Sequence, residues 1–157
     1  MSAVISECGL YRYVLRREIE QPHEVFKPCL FIMLNPSTAD AEQDDPTIRR
    51  CIAFAKREGC SSLTVVNLFA LRATDPSELI GHPDPIGPEN DLHIMDQLAN
   101  HTPGLRIAAW GGKHIAVERG EWLMDMASQL HCLGTTQTHE PRHPLYLRSD
   151  TELEEYP

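Results

Sequence analysis

The fold is decided by four consecutive segments: Cys29-Leu-Phe-Ile-Met-Leu34, Asn35-Pro-Ser-Thr-Ala-Asp40, Asp45-Pro-Thr-Ile-Arg-Arg-Cys-Ile-Ala-Phe-Ala-Lys-Arg-Glu-Gly59 and Ser62-Leu-Thr-Val-Val-Asn-Leu-Phe69. The first is a continuous apolar run bounded by Pro28 and Asn35-Pro36, the pattern of a strand buried on both faces. The third opens on Asp45-Pro46, places Ile48, Cys51, Ile52 and Ala55 at helical spacing, and stops at Gly59. The fourth is apolar and β-branched, as in a second strand. Strand, helix and strand thus follow within about 40 residues, which is a βαβ unit with a parallel pair.

Outward from this unit, Tyr11 to Glu18 alternates like a strand and Pro22 to Lys27 reads as a turn before the next one, so a hairpin is expected at the start. On the other side, Asp75-Pro76 with Glu78 three residues after the cap begins a short helix, and Gly81 to Pro88 is a loop. Glu89 to Asn100 has helical spacing at Leu92, Met95, Leu98 and Ala99. A third buried strand is expected over Leu105–Trp110, ended by Gly111-Gly112, then a helix over Ile115–Leu130 and a short strand over His131–Gly134. Thr135 to Pro144 is polar, Leu145-Tyr-Leu147 briefly apolar, and residues 148–157 read as an acidic tail that is flexible in part. No repeat, low-complexity tract or linker divides the chain, so residues 1–157 are expected to form one domain.

With 41% hydrophobic residues, the chain is long enough to bury a core without disulfides or a structural metal. No apolar run approaches the roughly 20 residues that cross a bilayer, and the N-terminus lacks the basic start and apolar stretch of a signal peptide. A cytoplasmic protein without membrane contact is expected. Five cysteines, an odd number with no CxxC pair, read as free thiols, mostly buried. The formal charge of −9 disfavours general binding to a nucleic-acid backbone.

In a parallel α/β sheet, ligands bind beyond the carboxyl ends of the strands. This selects the loops after Leu34, around Asn67 and after Trp110. Asn35 offers both an amide donor and a carbonyl acceptor, or else simply caps the turn before Pro36; Pro36 and Ser37 lie beside it. Asp40, Asp44 and Asp45 read as a solvated acidic loop with a helix cap at Asp45, and no metal site is expected. Arg49, Arg50 and Arg72 either meet a phosphate or pair with nearby carboxylates. Gly111-Gly112 could present backbone amides to an anion, but matches neither a dinucleotide nor a Walker fingerprint. Trp110 either stacks on a base or covers the sheet end. His139 and His143 are separated by Pro141 and share no helix face, which argues against a zinc pair; His143 alone has the acid–base range of a catalytic group.

Taken together, Leu34-Asn-Pro-Ser-Thr-Ala-Asp40, Asp45-Pro-Thr-Ile-Arg-Arg50, Val66-Asn-Leu-Phe69 with Arg72, Thr74-Asp75-Pro76, Trp110-Gly111 and Pro141-Arg-His-Pro-Leu-Tyr-Leu147 resemble the DUF1643 family of bacterial and phage proteins, catalogued as a domain of unknown function. The resemblance covers nearly the whole chain. More distantly, the motif order is similar to the uracil-DNA glycosylase superfamily, in which a strand runs into a Gly-x-Asn-Pro-type loop faced by a late His-Pro-Ser-type loop. That resemblance implies a three-layer α/β/α fold with a mainly parallel sheet of about four to five strands, here with an added N-terminal hairpin. It also implies that Asn35 orients the attacking water and His143 stabilises charge on the departing base. Asn67 would lie near the base-reading position, with Trp110 and Gly111 beside it. Leu34 departs from the small residues common before that loop. Leu145-Tyr146 replaces the serine-rich segment that grips a DNA backbone, so a free nucleotide, nucleoside or modified base is the more natural ligand.

The expected activity is therefore N-glycosidic hydrolysis of such a ligand, without a cofactor. Two alternatives remain: a non-catalytic nucleotide sensor or adaptor built on the same loops, and a protein-interaction module using the acidic surface. The sequence carries no signal for an oligomeric state.

Overall fold

A computed structural model describes every residue except His23 and Val25. The turn expected over Pro22–Lys27 therefore falls partly outside the described residues. The strands are β1 (Ser2–Ile5), β2 (Arg12–Glu18), β3 (Pro28–Met33), β4 (Ser62–Asn67), β5 (Leu105–Ala108), β6 (Leu130–Cys132) and β7 (Glu154–Tyr156). The helices are α1 (Pro46–Arg57), α2 (Glu78–Gly81), α3 (Asn90–Asn100) and α4 (Ala116–Met126), and a single 3₁₀ turn spans Pro144–Tyr146.

All seven strands form one mixed sheet in the order β1-β2-β4-β3-β5-β6-β7. The four inner strands, β4-β3-β5-β6, are parallel, and antiparallel strands close both sides. The expectation of four to five mainly parallel strands thus holds for the centre only. The N-terminal hairpin exists, but its arms are β1 and β2, and β2 lies against β4 rather than β3. Local alternation identified β2 as a strand but held no information about which neighbour it would choose. The 148–157 tail is likewise not a loose end: Glu154–Tyr156 pairs with β6 in the register Leu130↔Tyr156.

Side chains of β3 alternate between two cores. Leu30 and Ile32 join Ile94 and Leu98 of α3 and Ala116 and Leu123 of α4. Cys29, Phe31 and Met33 join Ile48, Cys51, Phe54 and Ala55 of α1. A strand buried on both faces must be apolar at every position, which is why the 29–34 run has no polar residue. The expected helix signals act as read for α1: the Asp45 carboxylate accepts the Ile48 amide at 2.9 Å, and Gly59 takes a positive φ of 72° after the last turn.

Of two further helix expectations, one holds and one needs correction. In α3 the buried apolar residues are Ile94 and Leu98, while Leu92 is 71% exposed and Met95 is half exposed. The inner face is completed by polar Asn90 and Gln97, so the helix forms as expected while, of the apolar residues that marked it, Leu98 is the one buried. The helix expected over Ile115–Leu130 ends at Met126, and Leu130 begins β6. Of the five cysteines, Cys29, Cys51, Cys60 and Cys132 are buried free thiols and Cys8 is exposed. No helix among the described residues is long and apolar enough to cross a membrane.

Candidate functional site

The chain leaves β3 toward α1, which carries it to β4 on one side, and then returns through α3 to β5 on the other side of β3. Connections that diverge in this way leave a gap above the carboxyl ends of the strands. A cleft of about 760 Å³ occupies it. The loop after β3, the end of β4, residues 73–76, the turn after β5, the N-terminus of α1 and the 143–146 segment all line it.

Hydrogen bonds between loops hold these walls. The Asn35 amide nitrogen donates to the carbonyls of Ala73 at 2.8 Å and Pro36 at 3.0 Å, and the Ala73 amide donates to the Pro36 carbonyl at 2.9 Å. Both protons of the Asn35 amide are thereby committed, so its Oδ1 is the group it can offer to a water or ligand. Gly111, at φ 80°, donates its amide to the Pro141 carbonyl at 2.9 Å, and a Cβ there would stand 3.4 Å from Cβ of His143. Glycine at 111 thus brings the segment holding His143 against the end of β5, and the Gly111 amide is spent on that contact. Arg50 of α1 donates to the Leu147 carbonyl, tying the far side of the same segment.

His143 accepts the Leu145 amide on Nδ1 at 3.2 Å. An acceptor at Nδ1 leaves the hydrogen of the neutral ring on Nε2. Burial pushes its pKa down, partly opposed by the negative charge of Asp45, so the ring is a neutral Nε2–H donor. Asp45 also lines the cleft, but its carboxylate holds the amides of Ile48 at 2.9 Å and Ala39 at 3.3 Å.

Of the residues singled out in the sequence, Asn35, Ser37, Asn67, Trp110, Gly111 and His143 line this one cleft. Pro36, Asp40, Arg49 and Arg72 do not. Pro36 is buried and serves through its carbonyl. Asp40 closes its own loop by accepting the amides of Glu42 and Gln43, both at 2.8 Å, which holds its carboxyl below the usual range. Arg49 is exposed and donates to the Asp44 carbonyl, and Arg72 reaches the Gly9 carbonyl at 3.4 Å.

Trp110 lines the cleft, but its indole is 1% exposed. Its Nε1 donates to Glu140 at 2.9 Å, its ring meets Tyr156 edge to face, and a Cβ on Gly120 would come within 3.1 Å of it. No ring face is left for a base, so the covering role describes it and the stacking role does not.

Among the lining residues that escaped the sequence reading, three carry a charge or an aromatic ring. Arg12 lies in β2, outside the loops that the strand-end rule selects. Tyr146, 90% exposed, stands in a brief apolar piece with no strand or helix signal. Lys113, exposed in the loop after β5, belonged to a selected loop but was assigned no part.

Fold and cleft define an α/β protein with a small-molecule-sized cleft at the carboxyl ends of its parallel strands. The model of a family of proteins of unknown function, DUF1643, matches residues 12–145, and the chain belongs to that family. No curated protein and no solved structure matches the chain, so the resemblance to uracil-DNA glycosylases finds no support there.

Proposed function

We propose that the cleft binds a nucleotide or nucleoside and hydrolyses its N-glycosidic bond. The observation that carries this reading is that Asn35, with Oδ1 uncommitted, and His143, a neutral Nε2–H donor, line one cleft. Asn35 Oδ1 accepts a hydrogen from the attacking water and so orients its oxygen toward the anomeric carbon. As the new C–O bond forms, the C–N bond breaks and its electron pair leaves with the base. His143 donates from Nε2 to the charge that develops there, and the proton released by the water passes to solvent or to the base. The cleft volume is within the usual range for small-molecule sites, and exposed Tyr146 at the lining supplies the aromatic face that Trp110 does not.

One observation favours a non-catalytic nucleotide sensor instead. Asp45 is the one carboxylate among the described lining residues, and both its oxygens hold backbone amides, so no free carboxylate is present to activate water. The two readings separate in a thermal-shift screen against nucleosides and nucleotides, combined with chromatography for released base. Hydrolysis predicts stabilisation with release, and loss of release in Asn35→Ala and His143→Ala with folding intact. Release that survives in either variant removes that residue's role, and stabilisation without release leaves the sensor.

A further inference from the structure

Arg12 is 2% exposed, lines the cleft and is poorly satisfied by the protein around it. Of its nitrogens, Nη1 donates to the Ala39 carbonyl at 2.7 Å, while Nε has no partner. Among the described residues no carboxylate comes within ion-pairing distance of it; the four ion pairs involve Arg17, Arg57, Arg119 and Arg148. The negative charge of Asp45 acts on it, but the Asp45 oxygens are turned to the amides of Ile48 and Ala39. Burial pushes the Arg12 pKa down to about 10 in spite of that charge.

A buried guanidinium without a paired anion is costly, and proteins seldom keep one without use. A second unpartnered donor lies on the same lining: Asn67 is 2% exposed and its Nδ2 has no partner. Arg12, Asp45 and Lys113 are the charged lining residues, so the cleft carries an excess of positive charge in a chain of net charge −9.

We propose that Arg12 and Asn67 form a seat for the ionised oxygens of the ligand, a phosphate or a carboxylate, bound by the guanidinium fork and the side-chain amide. Guanidinium matches both groups through parallel N–H donors. The proposal deepens the nucleotide reading and rests on it for the remainder of the ligand: the substrate is then the phosphorylated nucleotide rather than the nucleoside or free base. Lys113 at the exposed edge adds attraction without the geometry.

The test uses the whole chain at constant ionic strength, with sodium chloride as reference and inorganic phosphate, acetate, adenosine and adenosine 5′-monophosphate as probes. Melting temperature is followed for each, together with the ¹⁵N signal of the Arg12 Nε–H. Phosphate is expected to raise the melting temperature above the chloride control and to move the Arg12 signal, and the nucleotide to bind at least about tenfold tighter than the nucleoside. A response to acetate alone identifies a carboxylate ligand and keeps the seat.

Arg12→Met is expected to lose the phosphate response while remaining folded, because hydrocarbon replaces a buried cation that has no paired carboxylate, at the cost of its one bond to the Ala39 carbonyl. Arg12→Lys retains part of the response. Asn67→Leu weakens it without lowering the melting temperature of the free protein, since the lost Nδ2 had no partner. The proposal is overturned if phosphate and acetate leave both readouts at the chloride values, if adenosine binds as tightly as its monophosphate, or if Asn67→Leu keeps the full response. Phosphate binding without nucleotide binding retains the seat and removes the nucleotide reading. Equal binding of adenosine and its monophosphate does the reverse.

Discussion

Arg12 and Arg17 stand at opposite ends of β2, each 2% exposed, and both hold the loop between β3 and α1. Arg17 is fully engaged: Nε to Asp44 at 2.7 Å, Nη1 to the Arg16 carbonyl at 2.9 Å, and Nη2 to the Asp40 carbonyl at 2.6 Å. Arg12 makes one such bond, to the Ala39 carbonyl, and leaves Nε without a partner. One arginine is spent on the architecture and the other is held by it with donors to spare. The same division runs through the site: Trp110 and Asp45 are committed to neighbours, while Asn35 Oδ1 and His143 Nε2 are not.

The comparison is broken most directly by removing the engaged member. Arg17→Met leaves Asp44 without its partner and the Asp40 loop carbonyl and the Arg16 carbonyl without the guanidinium donor, and should cost about 3 kcal/mol in denaturant unfolding. Asp44 is one-quarter exposed and recovers some hydration, which keeps the loss at the lower end of the range for buried pairs. Arg12→Met should cost less, about 1–2 kcal/mol, because it strands only the buried Ala39 carbonyl. Equal losses would mean that both arginines serve only the fold.

The same contrast marks what could be read from the chain. The parallel β3-α1-β4 unit, the Asp45 cap and the Gly59 stop were legible because each is encoded within a few residues. The partner of β2, the strand in the tail and the inner face of α3 were not. All three depend on which distant surface an element meets, as when polar Asn90 turns its amide to the Asn67 carbonyl at 2.9 Å and so takes an inner position that apolar spacing does not reveal. Motif and strand-end position singled out Asn35 and His143, and both line the cleft. Arg12 was missed because its distinguishing property, a buried donor without a partner, exists only after folding.

A smaller effect sharpens the division between two histidines. Burial pushes both His143 and His101 below the ordinary pKa of 6.5, so the unfolded chain takes up protons first on acidification. Stability they support is therefore present above about pH 6.5 and is lost as pH falls from there through the lower folded values. The rings differ in commitment. His101 directs Nδ1 to the Gln97 carbonyl at 2.7 Å, a contact that survives protonation, whereas His143 accepts the Leu145 amide on Nδ1 and would then turn donor against donor. His143→Asn, which can still accept that amide, should flatten the acid limb of a stability–pH curve and His101→Gln should also reduce it.

The smallest effect on folding, and the sharpest on function, is expected at Tyr146. With 90% of it exposed, the side chain has almost no packing to lose, so Tyr146→Ala should change stability by less than about 0.5 kcal/mol. It lines the cleft beside His143, and a base stacked on its ring is worth about 1–3 kcal/mol by analogy with stacking in single-stranded nucleic-acid sites. Nucleotide affinity should accordingly fall about tenfold or more, whereas ribose 5-phosphate, which has no base to stack, should bind Tyr146→Ala as it binds the unmodified chain. Arg12→Met should show the opposite pattern and lose the sugar phosphate as well. If the two substitutions weaken both ligands in parallel, Tyr146 and Arg12 do not contact separate parts of one molecule, and the division of the cleft into a phosphate seat and an aromatic face fails.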